Sequence, residues 1–226
     1  MPDQNNTSLI SFKNWTLRIR ESTDPSPRLM LLIHGHTGDE NSMWVFGRDL
    51  PAKYWIVAPR APYETPPSGY SWRPSQVENL DQLSLDLLRS SAEALINLVD
   101  DYSASTRIDA RAFDVMGFSQ GGAMSSLLAF LSPQRIRRVG ILAGFVPSGL
   151  DGLVSQRPLE GKPFFVAHGT KDETVPIDRA RASVRLLELA GAHVTYCEDK
   201  VGHKVSVTCL RSLKNFFTDA PSSRVD

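Results

Sequence analysis

A serine flanked by glycines constrains this chain more than any other feature. Residues Gly117–Gly121 (GFSQG) follow an apolar run that begins at Phe113 and precede an Ala-, Met- and Leu-rich segment. They match the pattern G-x-S-x-G, in which a buried strand turns tightly into a helix and pushes the serine hydroxyl outward. Only glycine lets the neighbouring backbone pass this closely. The motif therefore predicts a strand–turn–helix unit with Ser119 as candidate nucleophile. The alternative is an ordinary strand-to-helix turn that uses glycine for geometry alone.

Short apolar runs alternate with amphipathic segments along the chain. Alternating apolar and polar residues at 15–20 predict a half-exposed first strand. Continuous apolar runs predict strands that are buried on both faces, and they lie at residues 29–33, 55–58, 113–118, 139–144, 164–169 and 194–197. Helical spacing marks the segments between them, at 41–50, 80–102, 120–131, from Pro176 to Gly191 and after His203. The alternation predicts an α/β fold, with a mostly parallel central sheet and helices on both faces. The connection at residues 145–163 is too short for a large cap domain.

Composition narrows the classes of function. The 226 residues carry 25 Lys and Arg against 25 Asp and Glu, so no net charge favours nucleic acid or an anionic membrane surface. No apolar run reaches the roughly 18 residues of a membrane span, and the polar N-terminus does not resemble a signal peptide. We expect a single domain over residues 1–226 with loose tails at 1–7 and 219–226, located in the cytoplasm, without stable membrane association. The composition does not decide the oligomeric state, and a homodimer is one possibility.

The two cysteines are too few for a disulfide framework. Cys197 and Cys209 fit a reducing compartment at least as well as an oxidising one. We therefore expect no disulfide scaffold.

A serine nucleophile needs a base and an acid that orients the base. The loops after the predicted parallel strands open at one edge of the sheet, where sites of such folds lie. His203 follows the last predicted strand and precedes the final helix, so it lies at that edge. His193 begins the same strand and should lie at the opposite edge. His203 is therefore the candidate base, against the alternative of a solvated surface histidine.

The acid is expected in the loop that follows the strand at residues 164–169. Asp172 lies in the middle of this loop and is the favoured candidate, with Glu173 and Asp199 as alternatives. Asp178 fits better as a first-turn helix residue that interacts with the helix dipole. The order Ser, Asp, His is the one expected after such a turn.

An oxyanion hole requires two N–H groups directed at the developing charge. One is expected from Gln120, directly after the serine, and the other from the loop after the early buried strand, with His36 favoured and Thr37 second. The pair His34 and His36 also raises the question of zinc. No cysteine accompanies the pair and only two carboxylates follow it, so we expect neither a metal nor another cofactor.

The Pro-rich loop at residues 61–79 holds three aromatic residues. Long loops without secondary structure in compact domains are more often functional than idle. We therefore expect Tyr70 and Trp72, with Thr37 from the neighbouring loop, to bind the substrate, with the aromatic residues forming the wall of an acyl site. The alternative for Trp72 is a core position beneath a Pro-stiffened loop.

Several short motifs, in this order, resemble the carboxylesterase/phospholipase family of α/β hydrolases, which includes the acyl-protein thioesterases. The matching segments, over about residues 28–217, are His34-Gly35 with Gly38-Asp39-Glu40, Val57–Arg60, Ser71-Trp72, Gly117–Gly122, His168–Glu173 with Val175-Pro176, and Gly202-His203. The resemblance implies a compact α/β-hydrolase fold without a cap, in which Ser119, Asp172 and His203 form a catalytic triad.

The chain departs from the thioesterase pattern after its His-Gly pair. His36 and Thr37 stand where those enzymes usually carry a small apolar residue, so the chain resembles the small bacterial-type esterases more closely. The expected function is a carboxylesterase-type serine hydrolase that cleaves small-molecule esters of short to medium acyl chain. The alternatives are a thioesterase or lysophospholipase acting on long acyl groups, and a non-catalytic binding protein with this fold.

Overall fold

The fold is built on one eight-stranded sheet. The structure is a computed structural model, and it describes residues 7–74 and 83–218. The strands are β1 (Ser8–Phe12), β2 (Trp15–Arg20), β3 (Arg28–Ile33), β4 (Tyr54–Pro59), β5 (Tyr63–Glu64), β6 (Tyr70–Ser71), β7 (Phe113–Phe118), β8 (Ile136–Leu142), β9 (Pro163–Gly169) and β10 (His193–Asp199). The helices are α1 (Trp44–Gly47), α2 (Leu85–Thr106), α3 (Gln120–Leu131), α4 (Asp151–Val154), α5 (Ile177–Leu189) and α6 (Val207–Phe217), with a 3₁₀ turn at Pro133–Arg135.

The sheet is mostly parallel, as the alternation of strands and helices predicts. Its order is β1-β2-β4-β3-β7-β8-β9-β10, and only the β1–β2 and β2–β4 pairs are antiparallel. The strands β5 and β6 form a separate small ribbon. The central strands β3 and β7 are apolar and buried because helices cover both faces of the sheet. This is the α/β-hydrolase fold that the resemblance implies.

Several elements differ in extent from the sequence predictions. The strand β1 was not predicted; it lies at the edge of the sheet, and its apolar residue Leu9 is 54 % exposed. The helix expected at 41–50 is the four-residue α1, and α2 begins at Leu85. Position 80, where the predicted helix began, lies outside the described residues, as do positions 1–6 and 219–226 of the predicted tails.

The two cysteines form a disulfide, contrary to the expectation from their number. Cys197 lies on β10 and Cys209 on α6, and the packing of this helix beside the sheet brings their Cα atoms within 5.7 Å. The bridge therefore closes the segment between the strand and the helix, which includes His203. Disulfides are typical of oxidising compartments, so the bridge argues against the cytoplasmic location, which stays a prediction.

None of the described helices is long and apolar enough to cross a membrane.

Candidate active site

The turn at Ser119 has the strained geometry that its glycines suggest. Ser119 joins β7 to α3 with φ 53° and ψ −117°, a left-handed conformation that L-residues rarely adopt. A Cβ at Gly117 would lie 2.0 Å from the Gly121 carbonyl oxygen, and one at Gly121 would lie 2.0 Å from the Ile33 carbonyl oxygen. Only glycine fits at either position. The tight crossing of β7, α3 and β3 thus holds the serine at the edge of the sheet.

His203 and Asp172 form a hydrogen-bonded pair at this edge. The Nδ1 atom of His203 lies 2.7 Å from Oδ2 of Asp172, whose carboxylate is fully buried. The His203 ring packs edge-on against Phe118 at a centroid distance of 5.0 Å. Because the carboxylate accepts a hydrogen bond from Nδ1–H, the ring hydrogen is held on Nδ1 and the Nε2 atom of His203 is left to act as a base.

The Asp172 carboxylate is oriented by its own turn. Its Oδ1 atom accepts the backbone N–H groups of Thr174 and Val175, each at 2.9 Å. This leaves Oδ2 directed at His203. A carboxylate with both oxygens engaged in this way cannot rotate freely, so the geometry of the pair is fixed before any substrate arrives.

Ser119 and His203 line the same cleft. Ser119 is 6 % exposed, and the side chain of His203 is 24 % exposed. Between these two described residues the side chains make no hydrogen bond in the structure. Such contacts are often long in enzymes without substrate and tighten when substrate binds. The structure thus brings together the serine, histidine and aspartate predicted from the sequence.

The alternative residues lie elsewhere or point away. His193 is the first residue of β10, at the opposite edge of the sheet from the cleft. Glu173 is exposed beside Asp172. Asp199 accepts the backbone N–H of Lys200 at 2.8 Å, and its hydrogen bond with Ser206 lowers the pKa of its carboxyl group.

The loop after β3 is held by His34. Its Nε2 atom accepts the Ala61 N–H at 3.0 Å, so the ring hydrogen is on Nδ1 and is donated to the Gly35 carbonyl oxygen at 2.7 Å. Burial lowers the pKa of His34, which favours this neutral form. The Gly35 carbonyl and the His36 N–H belong to one peptide unit. The bond from His34 therefore fixes the direction of the predicted oxyanion-hole donor at His36, which lies in the cleft lining.

Gln120 is fully buried and is not among the residues that line the cleft, so the role of its backbone N–H in an oxyanion hole stays a prediction. It is the first residue of α3, where backbone N–H groups have no intrahelical partner and the helix dipole favours negative charge. Its buried side-chain oxygen accepts the Trp72 N–H at 3.0 Å, and its side-chain nitrogen donates to Ser71 Oγ at 3.1 Å. The side chain thus ties the turn at Ser119 to the loop after β6.

Trp72 lies in the core and does not form a wall of the cleft, which corrects the prediction. Its side chain is 0 % exposed, and its indole N–H donates to the His34 carbonyl oxygen at 2.8 Å. A buried indole needs a partner for its N–H, and this carbonyl supplies it. From its core position, Trp72 thus supports the loop that carries His36.

Tyr70 also lies outside the cleft lining, contrary to the prediction, whereas Thr37 lies in it. The Tyr70 N–H donates to the Gly38 carbonyl at 2.9 Å, and its ring packs against the Arg60 guanidinium at 4.7 Å. Arg60 in turn pairs with the buried Glu40 at 2.7 Å. Thr37 borders the cleft with φ 63°, an unusual conformation for a β-branched residue.

The cleft beside Ser119 has an apolar wall that the sequence interpretation missed. It has a volume of about 510 Å³. Its apolar side chains come from α1 and the residue before it, from β7, and from α6 and the segment leading into it; they are Met43, Val45, Phe46, Phe118, Val205 and Leu210. The available signal was the apolar run around Phe46, which is unusual for a short surface helix.

Comparisons with known proteins agree with this fold. The family model described as Phospholipase/Carboxylesterase matches residues 14–220. An acyl-protein thioesterase 1 from Debaryomyces hansenii is 25 % identical over 90 % of this chain and 95 % of its own length. The carboxylesterase SOBER1 from Arabidopsis thaliana is 33 % identical, but the match spans only 45 % of this chain and 46 % of that relative.

Solved structures show the same architecture. A carboxylesterase from Mesorhizobium loti superposes with a TM-score of 0.80 at 18 % identity, covering 96 % of this chain and all of that one. A Bacillus cereus carboxylesterase gives a TM-score of 0.76 at 19 % identity, covering 91 % and 94 % of the two chains. At these identities the structures support the fold alone.

Fold and site together define an α/β hydrolase. The family match extends over nearly the whole chain. The chain belongs to the phospholipase/carboxylesterase family.

Proposed function

We propose that this chain is a serine hydrolase that cleaves carboxylic esters of short to medium acyl chain through an acyl-enzyme. The observation that carries the proposal is the 2.7 Å hydrogen bond from His203 to the buried Asp172, in the cleft that holds Ser119 on its strained turn. A serine hydroxyl is a poor nucleophile unless an oriented base takes its proton, and this pair supplies both base and orientation.

The first half of the reaction forms the acyl-enzyme. Ser119 Oγ attacks the ester carbonyl while His203 Nε2 takes the hydroxyl proton, and Asp172 stabilises the resulting imidazolium. Negative charge develops on the carbonyl oxygen, where the N–H groups of Gln120 and His36 would donate to it. His203 then gives its proton to the leaving alcohol, and the serine ester remains.

The second half releases the acid. A water molecule takes the place of the alcohol, His203 removes its proton, and the hydroxide attacks the serine ester. Collapse of this intermediate returns the proton to Ser119 and frees the carboxylic acid. Nothing in these steps requires a cofactor, since every proton moves between Ser119, His203, the water and the substrate.

The apolar wall of the cleft supports an ester with a hydrocarbon chain. Phe46, Val205 and Leu210 remove apolar substrate surface from water, which contributes about 0.8 kcal/mol for each fully buried methylene. Placing the acyl group here leaves the alcohol to depart toward solvent. Within residues 7–74 and 83–218 no cap covers the cleft, which favours small esters over substrates that need full enclosure.

Long-chain thioester or lysophospholipid hydrolysis is the second candidate. A depression of about 30 Å³ adjoins the cleft at Phe46 and Leu210, so the end of a longer chain would have an apolar place beyond the cleft. A relative whose match spans 90 % of this chain carries the name acyl-protein thioesterase 1. The same triad would serve either bond.

Chain-length profiling separates these candidates. We expect kcat/KM for p-nitrophenyl esters to peak between acetate and octanoate, and oxygen esters to be cleaved faster than thioesters of the same acyl group. A maximum at palmitate, or a preference for the thioester, would favour the second candidate. If the protein shows neither turnover nor labelling by a fluorophosphonate, the result would favour a non-catalytic binding protein with this fold.

A further inference from the structure

A second histidine touches the acid of the proposed triad. His168 lies near the end of β9, four residues before Asp172, and is 2 % exposed. Its Nε2 atom lies 2.8 Å from the Val175 carbonyl oxygen and 3.3 Å from Oδ2 of Asp172. We infer that His168 is a positioning residue, which holds the Asp172 carboxylate in line with His203. The inference rests on the proposed function.

The contacts of His168 define its tautomer. A backbone carbonyl can only accept, so the hydrogen of His168 is on Nε2. Its Nδ1 atom is buried, and no described residue bonds to it. A proton there would create an unpaired buried donor and an uncompensated charge. Burial lowers the pKa of His168, in agreement with a neutral ring. His168 is thus a neutral donor through Nε2.

This donor closes the turn around the carboxylate from both sides. The Val175 N–H binds Oδ1 of Asp172, and the Val175 carbonyl accepts from His168. The same Nε2–H lies within reach of Oδ2, beside the bond from His203. Oδ1 therefore has two backbone donors, and Oδ2 is bound by His203 with the Nε2 atom of His168 3.3 Å away. Without His168, the carbonyl of Val175 would lose its partner and the carboxylate could turn away from His203.

Of the two carboxylates near His168 in the described part of the chain, only that of Asp172 is not already bound by an arginine side chain. Glu198 pairs with His168 across β9 and β10, but its carboxylate is bound by Arg181 at 2.8 Å. The hydrogen bond from Arg181 lowers the pKa of Glu198 to about 2, so Glu198 stays ionised and engaged. Another titratable neighbour is His203, on the other side of the Asp172 carboxylate.

Two matched substitutions test the role of the Nε2 donor. His168→Gln can place an amide N–H near the Nε2 position, whereas His168→Asn can reach only the Nδ1 position. Because the N–H that binds the Val175 carbonyl and lies beside the charged Asp172 carboxylate is lost, we expect His168→Asn to lower kcat about 10- to 100-fold with little change in KM. His168→Gln should retain most of the activity. Rates are expressed per active site titrated with fluorophosphonate, so that unfolded protein does not lower the apparent kcat.

The pH profile gives a readout that a purely structural role would not move. In His168→Asn the Asp172 carboxylate is held less firmly in line with Nδ1 of His203, so it stabilises the His203 imidazolium less. The acid limb of kcat/KM should therefore shift to lower pH in His168→Asn and stay in place in His168→Gln. Equal losses in both variants, following their melting temperatures with unchanged pH profiles, would overturn the inference.

A measurement on the unaltered protein keeps the test decisive if a variant fails to fold. In ¹⁵N-histidine spectra, His168 should carry its hydrogen on Nε2 and stay neutral while activity changes with pH. A hydrogen on Nδ1 would overturn the inference. Failure of the proposed function would differ, because the unaltered protein would then show neither turnover nor labelling, whatever its histidine spectra.

Discussion

Replacing Asp172 by asparagine tests the geometry of the proposed triad with little change in shape. Two backbone N–H groups, from Thr174 and Val175, bind Oδ1 at 2.9 Å and demand an acceptor there. The asparagine oxygen must therefore take the Oδ1 position, and its NH₂ group faces Nδ1 of His203, which lay 2.7 Å from Oδ2. Two hydrogen-bond donors, the asparagine NH₂ group and the Nδ1–H of His203, would then face each other.

The consequence falls on the tautomer of His203. To accept from the new NH₂ group, Nδ1 must lose its hydrogen, and the ring hydrogen moves to Nε2. His203 can then no longer take the proton of Ser119. The equivalent change in a serine protease lowers kcat about 10⁴-fold, and we expect a loss of that order for Asp172→Asn. This corresponds to about 5.5 kcal/mol in the activation free energy.

The assay is kcat/KM for p-nitrophenyl butyrate, with circular dichroism to check the fold. Glu173→Gln is the matched control, because it makes the same chemical change at the next, exposed residue and should leave activity nearly unchanged. A loss smaller than tenfold for Asp172→Asn in folded protein would refute the reasoning. A larger loss for Glu173→Gln would move the acid to that residue.

Three further results are expected. Leu210→Ala shortens the apolar wall, so the gain in kcat/KM per added acyl methylene, about fourfold when burial is complete, should become smaller across acetate, butyrate and hexanoate esters; an unchanged slope would place the acyl chain elsewhere. Reducing the Cys197–Cys209 bridge, which joins residues 12 apart, should lower the free energy of unfolding by about 3 kcal/mol in urea titrations, and no change would mean that the bridge does not constrain the unfolded chain. Because burial lowers the pKa of His34 and His168, the unfolded chain binds protons at these residues before the folded chain does as pH falls. The free energy of unfolding should therefore be highest above about pH 6.5 and decrease below it, and a melting temperature independent of pH between 7 and 5 would contradict this.

The parts of the site that the sequence predicts are those governed by local sterics. At Gly117 and Gly121 a side chain would collide with the backbone, so the pattern around Ser119 carries its own geometry. The parallel order of the sheet follows from alternating apolar strands and helices. It places the loops with Asp172 and His203 at one edge, because the carboxyl ends of parallel strands meet there.

The parts that the sequence leaves open depend on contacts between distant residues. An aromatic residue in a Pro-rich loop fits a cleft wall and a core position equally well. The position of Trp72 is decided by the His34 carbonyl, 38 residues away, which accepts its indole N–H. The same holds for Cys197 and Cys209, since nothing in their spacing shows that a strand and a helix bring them together.

Edge elements and clefts are hard to predict for a different reason. The strand β1 is short and half-exposed at the end of the sheet, so its residues carry little apolar periodicity. The cleft wall draws Phe46 from one helix and Leu210 from another, and each is an ordinary amphipathic residue in its own segment. Only the packing of α1 and α6 beside Ser119 makes them neighbours.

Covalent labelling at Ser119 is the most direct measurement of the proposed chemistry. The protein is incubated with a fluorophosphonate, and the modified peptide is identified by mass spectrometry, with Ser119→Ala as control. We expect one label per chain, on Ser119, and no label on Ser119→Ala, together with a loss of ester hydrolysis of about a millionfold in that variant. A label on another serine, or hydrolysis that persists in folded Ser119→Ala, would contradict the assignment of Ser119 as the nucleophile.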